Sequence, residues 1–322
     1  MIRNYLNYIG SKDRYMPLIN KFLEETRRQG SKTLVDLFCG SAVVGVNELP
    51  HFDYVICNDK CEEIIALHTW VQENSIESLL QSIDDCIAQY DLSKTNKDGF
   101  LELREHYNSG RSQAINPVEL FCLITHSFNY SLHTNKDGQY NVPFGANKSS
   151  FNKSLREKLI QYKAQLEKHP NKLTFSNEAF EYWVNKKSGN KVTYFVDPPY
   201  STSISKHPYR VGNIKWTEQQ DRDLLNSLKK LSDEGNYFVL TNVYENNGLV
   251  NNLLQDWVKK EGFTCYEVTS VDYANCSYQR KNNGTTKEVI ITNLKNLRFL
   301  KQEGVDKLYN IVYDNTGERD SV

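Results

Sequence analysis

The tetrapeptide Asp197-Pro198-Pro199-Tyr200 contains the residue types that most directly indicate chemistry. Two consecutive prolines lack backbone N–H groups, so a preceding strand must end there and the chain leaves it extended. A weakly nucleophilic amine, such as the exocyclic amine of a nucleobase, has to be held through its N–H groups. The Asp197 carboxylate can accept one N–H and the Pro198 carbonyl the other, which would aim the nitrogen lone pair at a methyl donor.

Tyr200 would then provide a ring on which the base stacks, and a base within a duplex would first have to be flipped out. The alternative is a turn that does no more than end the strand.

A second group of residues surrounds the turn Gly40-Ser-Ala-Val-Val-Gly45. This turn matches neither GxGxxG nor a P-loop, so it does not indicate phosphate binding, although its glycines let a ligand approach the backbone. Asp59, at the end of the next predicted strand, would accept hydrogen bonds from ribose hydroxyls. The carboxylate of Asp36, at the end of the preceding strand, would be favourably placed beside a cationic group of a ligand. A ligand with a ribose, a positive centre and no phosphate is favoured, and S-adenosylmethionine fits; the alternative for each acid is a capping or solvent-facing carboxylate.

A basic segment at 145–169 could contact a polyanion. It contains six Lys or Arg against two Glu, a net charge of +4, in a chain whose overall net charge is −1. Lys148 and Lys153 are the predicted phosphate contacts. The alternative is a solvated helix face.

The elements that must position these residues follow an α/β pattern. Residues 31–49 and 54–59 indicate a strand, turn, helix and second strand, which is a βαβ unit with parallel strands. Residues 62–168 are mostly helical and amphipathic, and a Lys-Asp-Gly-Gln turn signal interrupts them near a predicted hairpin. Later strands are predicted at 172–180, 191–200, 236–244, 263–271 and 287–293, with a helix at 217–235.

Composition places the chain in a broad class. With 322 residues, 39% hydrophobic and 25% charged, it can bury one large core and a smaller one. There is no apolar run of about 18 residues and no signal-peptide pattern, so we expect a soluble intracellular protein. Seven scattered cysteines without a CxxC pair predict neither disulfides nor a metal site, and Cys57 and Cys61 are expected to pack.

Five motifs together carry a family resemblance: NYIGSK (7–12), LVDLFCGS (34–41), CND (57–59), FNYSLHTNKDGQYNVPFG (128–145) and DPPY (197–200). To about residue 295, the sequence resembles the adenine-N6-specific DNA methyltransferases of the alpha class, the Dam-like group. In that group the cofactor motifs precede an inserted target-recognition lobe and the catalytic tetrapeptide follows it.

The resemblance implies a Rossmann-like S-adenosylmethionine-dependent methyltransferase fold with a mixed sheet and an inserted, mainly helical target-recognition domain. The implied catalytic domain is residues 1–65 and 170–295, and the implied inserted domain is 66–169. Residues 296–322 lie beyond the resemblance, and we expect them to form a polar tail of helix and disorder. The implied catalytic residues are Asp197, Pro198 and Tyr200. The implied cofactor contacts are Tyr8, Lys12, Asp36, Phe38, Gly40, Ser41, Asp59, Phe180 and Asp197, and the implied DNA contacts are Asn129, His133, Asn135, Lys148 and Lys153.

The implied activity is methyl transfer from S-adenosylmethionine to N6 of a flipped-out adenine at a specific site in double-stranded DNA, within a restriction-modification system. A cognate restriction endonuclease would act separately, and the methyltransferase would be a monomer in the cytoplasm, near the nucleoid. No membrane association and no metal are implied.

Three positions depart from the family pattern. Ala179-Phe180 stands where many members have Asp-Phe, so Asn177 or Glu178 is a candidate partner for the cofactor's adenine amine. Tyr8 replaces a frequent Trp. His133 replaces an arginine that reads guanine in Dam-like enzymes, and histidine cannot make the same bidentate contact. We therefore expect a recognition sequence other than GATC.

Alternatives of other classes stay open at this stage. They are a cytosine-N4 methyltransferase, an RNA or small-molecule amine methyltransferase, and a non-catalytic DNA-binding relative. Asp197 favours adenine over cytosine-N4 transfer by family analogy, and the inserted lobe with its basic segment favours a long polyanion. A cytosine-C5 mechanism needs a cysteine beside a proline, and no cysteine follows a proline here.

Overall fold

The computed structural model describes residues 1–7, 11–110, 114–187, 189–200, 210–211, 214–268, 286–295, 297–298 and 309–313. The chain divides into two compact units. The first comprises Met1–Met16, Phe38–Phe180 and Arg210–Lys215, and the second comprises Pro17–Leu37, Glu181–Tyr209 and Trp216–Val322.

The first unit is mainly helical in its described part. Its helices are α2 (Val43–Glu48), α3 (Glu62–Glu73), α4 (Ile76–Gln89), α5 (Lys97–Gly110), α6 (Pro117–His126) and α7 (Lys153–Lys168), with a 3-10 turn at Phe128–Tyr130. Strands β2 (Tyr54–Asn58) and β3 (Leu173–Ser176) pair in parallel, and β5 (Arg210–Val211) and β6 (Ile214–Lys215) form a small antiparallel pair. The helices confirm the mostly helical block predicted between 62 and 168.

Two helix starts in this unit are capped by asparagine side chains that accept the first free backbone N–H groups. Asn116 caps α6 through Val118 and Glu119, with Pro117 at the first helical position. Asn152 caps α7 through the N–H of Leu155. Helix α7 therefore starts at the predicted DNA contact Lys153, and α6 ends two residues before the segment predicted to recognise DNA.

The second unit contains a mixed sheet. Its helices are α1 (Met16–Arg28), α8 (Phe180–Asn185), α9 (Glu218–Asp233) and α10 (Asn252–Glu261); its strands are β1 (Thr33–Asp36), β4 (Val192–Val196), β7 (Tyr237–Asn246), β8 (Leu249–Val250), β9 (Thr264–Val268), β10 (Thr286–Thr292) and β11 (Tyr309–Tyr313). In this unit the strand order is β11-β9-β10-β7-β4-β1. Strands β1, β4 and β7 are parallel, and β10, β9 and β11 continue antiparallel.

Strand β4 is the centre of the parallel part. All five of its residues are buried, and it pairs with β1 on one side and β7 on the other. A strand covered on both faces is a continuous apolar run, which is the pattern that predicted it. Its position fixes where the chain emerges at the Asp-Pro-Pro-Tyr segment.

The sequence predicted most elements correctly. The α/β class, the predicted helix at 217–235 and the five later strands are confirmed in the described residues. The prediction for the C-terminal tail was wrong in one respect. Helix and disorder were expected there, but Tyr309–Tyr313 forms strand β11, which pairs antiparallel with β9. Its sequence, YNIVY, is rich in the β-branched and aromatic residues that favour strands.

No helix among the described residues combines the length and apolar character needed to cross a membrane. No cluster of three or more His, Cys, Asp or Glu side chains in that part of the chain is arranged to hold a metal ion. Cys57 and Cys61 are buried, as expected for packing residues, and none of the six cysteines in the described residues forms a disulfide.

Candidate functional site

The Asp197 carboxyl lies directly after the buried strand β4 and is held by a neighbouring strand. The hydroxyl of Thr241 donates a hydrogen bond to Oδ1 of Asp197 at 2.7 Å. The parallel register places Val196 opposite Leu240, so the next residue of each strand, Asp197 and Thr241, also come side by side. The sheet therefore fixes the orientation of the predicted catalytic acid.

The rest of the tetrapeptide is also sheltered. Pro198 is buried and Tyr200 is partly buried. Burial raises the pKa of the Tyr200 hydroxyl well above its usual value, and the nearby carboxylates of Asp197 and Glu288 raise it further. Tyr200 therefore stays neutral. Asp36, the last residue of β1, lies opposite Phe195 in the same unit and is 1% exposed.

In the first unit, the glycine turn and the predicted ribose-binding acid are joined directly. Gly40 adopts a φ of 45°, a left-handed conformation that glycine adopts without strain. Its N–H donates to Oδ2 of Asp59 at 2.9 Å, and the N–H of Cys61 donates to Oδ1 at 2.9 Å. Burial raises the pKa of Asp59, while these backbone N–H groups oppose the shift.

A buried histidine hydrogen-bonds the carbonyl group of Gly40. Nε2 of His68 is 2.8 Å from the Gly40 carbonyl oxygen, which can only accept, so Nε2–H is the donor. The hydroxyls of Tyr5 and Tyr162 lie 3.0 and 3.1 Å from Nδ1 of His68. Burial lowers the pKa of His68 to about 4, so the ring is neutral near pH 7. The ring also stacks on Phe175, with centroids 5.0 Å apart.

We call Gly40, Asp59, His68, Tyr5 and Tyr162 the glycine-turn cluster. All five belong to the first unit. Asp59 and Gly40 were predicted from the sequence; the other three were missed.

Two predicted cofactor contacts, Phe38 and Phe180, form an aromatic pair in the first unit. The rings of Phe38 and Phe180 have centroids 5.8 Å apart at an angle of 38°. Asn177, a candidate for the missing acid, donates through Nδ2 to the carbonyl oxygen of Asp59 at 2.9 Å. The backbone of Glu178, the other candidate, is held on both its N–H and its carbonyl by Asn58 at 3.1 Å. Both candidate side chains are exposed.

The N-terminal motif is only partly described, because Tyr8 lies outside the described residues. Lys12 is buried. The hydroxyl of Ser41 donates to that of Ser11 at 3.4 Å, which brings this motif to the glycine turn. Lys158 of α7 donates to Oδ1 of Asn7 at 2.6 Å, and burial lowers the pKa of Lys158.

The predicted hairpin turn is present in the described residues. Thr134 and Tyr140 form an antiparallel bridge around Gly138, whose φ of 78° suits a turn glycine. Oδ1 of Asn135 accepts the N–H groups of Asp137 and Gln139 at 2.9 and 3.0 Å. Asn135 thus shapes the turn, and its predicted DNA contact stays a prediction.

Two further predicted DNA contacts flank this turn. His133 is half-buried, and its Nδ1 lies 2.6 Å from Oδ1 of Asn141. The amide oxygen can only accept, so Nδ1 carries the hydrogen and the ring is held in one orientation. Asn129 is exposed with a φ of 56°, an uncommon conformation for a non-glycine residue.

The basic segment divides into inward and outward side chains. Lys148 is exposed, and the side chain of Lys153 is 91% exposed, 4.0 Å from Glu157. In contrast, Lys163 is buried and donates to the carbonyl oxygen of Gln72 at 2.9 Å. One lysine of the segment is therefore packed inside the first unit, whereas Lys148 and Lys153 are exposed, and their predicted DNA contacts stay predictions.

Comparison with known proteins identifies the family. Over residues 8–272 the chain matches a group of methyltransferases described as "D12 class N6 adenine-specific DNA methyltransferase", and it belongs to that family. This confirms the resemblance inferred from the five motifs and the α/β fold with a mixed sheet.

Named relatives are modification enzymes. The chain is 32% identical over 300 residues to Type II methyltransferase M.FokI from Planomicrobium okeanokoites, covering 92% of this chain and 43% of the relative. It is 33% identical over 304 residues to Modification methylase StsI from Streptococcus sanguinis, covering 92% and 44%. It is 29% identical over 289 residues to Modification methylase LlaI from Lactococcus lactis subsp. lactis, covering 89% of this chain and 43% of the relative. The chain thus spans less than half the length of these relatives.

Proposed function

We propose that this chain transfers a methyl group from S-adenosylmethionine to N6 of a flipped-out adenine at a specific site in duplex DNA. The observation that carries the proposal is the fixed orientation of Asp197. This residue follows the buried parallel strand β4, is hydrogen-bonded by Thr241 and precedes Pro-Pro-Tyr. The chain that contains it belongs to an adenine-N6 family. The modification names of the relatives support a place in a restriction-modification system. We propose that a cognate endonuclease acts separately. We propose that the chain acts as a monomer.

Asp197 and Pro198 would hold the reacting amine. A carboxylate accepts hydrogen bonds only, so Asp197 takes one N–H of the adenine amine, and the Pro198 carbonyl takes the second. With both hydrogens engaged, the nitrogen lone pair is directed at the methyl group, which is a positioning effect worth several kcal/mol. The Thr241 hydroxyl keeps the acid from rotating away.

Tyr200 would receive the flipped base. Extrusion of a base costs a few kcal/mol, and stacking on an aromatic ring returns about 1–3 kcal/mol. The raised pKa of Tyr200 keeps the phenol uncharged beside Asp197, so the ring does not add a negative charge next to the acid. This suits a face that binds an uncharged adenine.

The donor set of the first unit fits S-adenosylmethionine. Asp59 accepts two backbone N–H groups and retains lone pairs for ribose hydroxyls, and Gly40 leaves no side chain at the turn. Phe38 and Phe180 offer apolar rings for the adenine of the cofactor. When bound, S-adenosylmethionine supplies a sulfonium methyl group. We propose Lys12, Ser41, Asp36 and Tyr8 as further contacts, following the family motifs.

The DNA would be held by the hairpin and the basic segment. Lys148 and Lys153 are exposed cations suited to phosphates, which position a duplex without reading its sequence. Asn129, His133 and Asn135 lie in or beside the hairpin turn, from which we propose that bases are read.

The proposal is tested by tritium transfer from labelled S-adenosylmethionine to duplex DNA, followed by analysis of the nucleosides. We expect N6-methyladenine from the wild-type chain. Asp197→Ala should abolish transfer while cofactor affinity stays within about tenfold, because the acid acts on the amine. Release of N4-methylcytosine, preferential methylation of RNA, or full activity of Asp197→Ala would each overturn the proposal.

A further inference from the structure

The glycine-turn cluster contains a buried histidine that no motif explains. His68 is 0% exposed, lies on α3 and donates to the carbonyl oxygen of Gly40 at 2.8 Å. The N–H of Gly40 in turn donates to Asp59 at 2.9 Å. Both backbone polar groups of Gly40 are therefore hydrogen-bonded: its N–H donates to an acid, and its carbonyl accepts from a histidine.

We propose that His68 is a positioning residue for the cofactor: it fixes the Gly40 turn, and through it the carboxylate of Asp59, in the geometry that binds the ribose. This inference rests on the proposed function of the first unit. His68 would not touch the cofactor, because its two ring nitrogens are engaged by the turn and by tyrosine hydroxyls.

The surroundings of His68 select one tautomer. A carbonyl oxygen cannot donate, so Nε2 must carry the hydrogen, and Nδ1 is left to accept the hydroxyls of Tyr5 and Tyr162. These tyrosines come from the N-terminal segment and from α7, and Phe175 of β3 stacks on the ring. Elements far apart in sequence thus fix the direction of a single N–H bond. A residue needed only to fill space would not require this hydrogen-bond arrangement.

The arrangement also explains why a buried polar network is present at this turn. Leaving a buried donor or acceptor without a partner is costly, and here the two ring nitrogens, the two hydroxyls and the Gly40 carbonyl lie within hydrogen-bond distance of one another. Loss of the Nε2–H donor would free the Gly40–Ser41 peptide, which contains this carbonyl, to rotate. Because the Gly40 N–H belongs to the preceding peptide, the effect on Asp59 would pass through the φ and ψ of Gly40, whose change would shift the N–H that helps to hold the carboxylate.

The test compares His68→Leu and His68→Gln in the full chain. Gln can place an amide N–H near the position of Nε2, whereas Leu fills the space without a donor. We expect His68→Leu to weaken binding of labelled S-adenosylmethionine by about tenfold or more and His68→Gln by less than about threefold. At saturating cofactor, kcat of His68→Leu should stay within about threefold of the wild type, because the tetrapeptide is untouched.

His126→Leu is the matched control. His126 is also a buried histidine of the first unit, and its Nδ1 bonds a backbone carbonyl, that of Cys122, away from the turn. It should retain wild-type cofactor affinity. Equal weakening by His68→Leu and His126→Leu, or wild-type affinity in His68→Leu, would overturn the inference. If the wild-type chain itself binds no S-adenosylmethionine, the proposed function fails instead.

Two measurements keep the inference testable if His68→Leu does not fold. Nitrogen NMR of the wild-type imidazole should show hydrogen on Nε2 and none on Nδ1 at pH 7; the opposite tautomer would overturn the inference. The double variant Tyr5→Phe/Tyr162→Phe keeps the ring and the Gly40 acceptor but removes both hydroxyls that hold Nδ1, and we expect hydrogen to stay on Nε2 while cofactor binding weakens. Wild-type cofactor affinity in this variant would also overturn the inference.

Discussion

The Thr241 hydroxyl lies 2.7 Å from Oδ1 of Asp197, where it donates a hydrogen bond to the predicted catalytic acid from the adjacent strand β7. The two residues are 44 positions apart in the chain and meet because β4 and β7 run parallel in register. Thr241 is 7% exposed, so the bond is sheltered from water. The acid and its support thus come from the same sheet.

We predict that Thr241→Val lowers kcat about ten- to a hundredfold with little change in cofactor affinity. A hydrogen bond to a charged group contributes about 1.5–3 kcal/mol. Because this bond orients the carboxylate for the reaction, its loss should raise the activation free energy by a similar amount. The measurement is single-turnover methyl transfer at saturating cofactor and DNA.

Thr292→Val is the control for this prediction. Thr292 is a buried threonine of β10 in the same unit, and its hydroxyl donates to the Phe238 carbonyl oxygen at 2.6 Å. It should lose about 1 kcal/mol of stability and keep its kcat. An unchanged kcat in Thr241→Val would show that Asp197 needs no support from β7.

His68 makes the stability of the chain depend on pH. Its pKa is about 4 in the folded chain against 6.5 when unperturbed, so below pH 6.5 the unfolded chain binds a proton that the folded chain rejects. Stability therefore falls as the pH falls from 6.5 to about 4 and is not changed further by His68 below that. Between pH 6.5 and pH 5, the loss is about 2 kcal/mol.

Urea unfolding of the wild type and His68→Gln at these two pH values measures this loss. The variant should lose about 2 kcal/mol less, because glutamine does not titrate. His126, whose pKa burial also lowers, is present in both proteins and cancels in the comparison. Parallel pH profiles for the two proteins would contradict a neutral, buried His68.

Sequence patterns were sufficient where the information was local. The apolar run of β4, the Asp-Pro-Pro-Tyr segment and the glycine turn with Asp59 all lie within short stretches, and the structure has these elements where predicted. Thr241 and His68 were missed because their partners are 44 and 28 residues away, and strand register and helix packing bring them together. Strand β7 was itself predicted. Pairing it with β4 in the observed register would have placed Thr241 beside Asp197, and this was the signal available for Thr241.

The exposed lysines of the basic segment should govern the salt dependence of DNA binding. We predict that Lys148→Ala/Lys153→Ala weakens binding to all duplex sequences alike and reduces the slope of log affinity against log salt by about 0.9 per lost phosphate contact. Fluorescence anisotropy over a salt series measures both effects. The control Lys259→Ala/Lys260→Ala removes the same charge from α10 and should leave the slope unchanged. If both double variants behave alike, only net charge matters and the segment does not contact DNA.

The His133–Asn141 pair should contribute to the choice of recognition sequence. Asn141 holds the ring through Nδ1 at 2.6 Å, and an imidazole in this orientation cannot make the bidentate contact by which arginine reads guanine. We predict a recognition sequence other than GATC, which sequencing of methylated adenines in DNA from expressing cells will define. Asn141→Ala should then reduce discrimination at one base pair by about 1–3 kcal/mol, because the ring is free to turn. Equal kcat/KM on GATC and on the defined site, or unaltered discrimination in Asn141→Ala, would remove His133 from sequence readout.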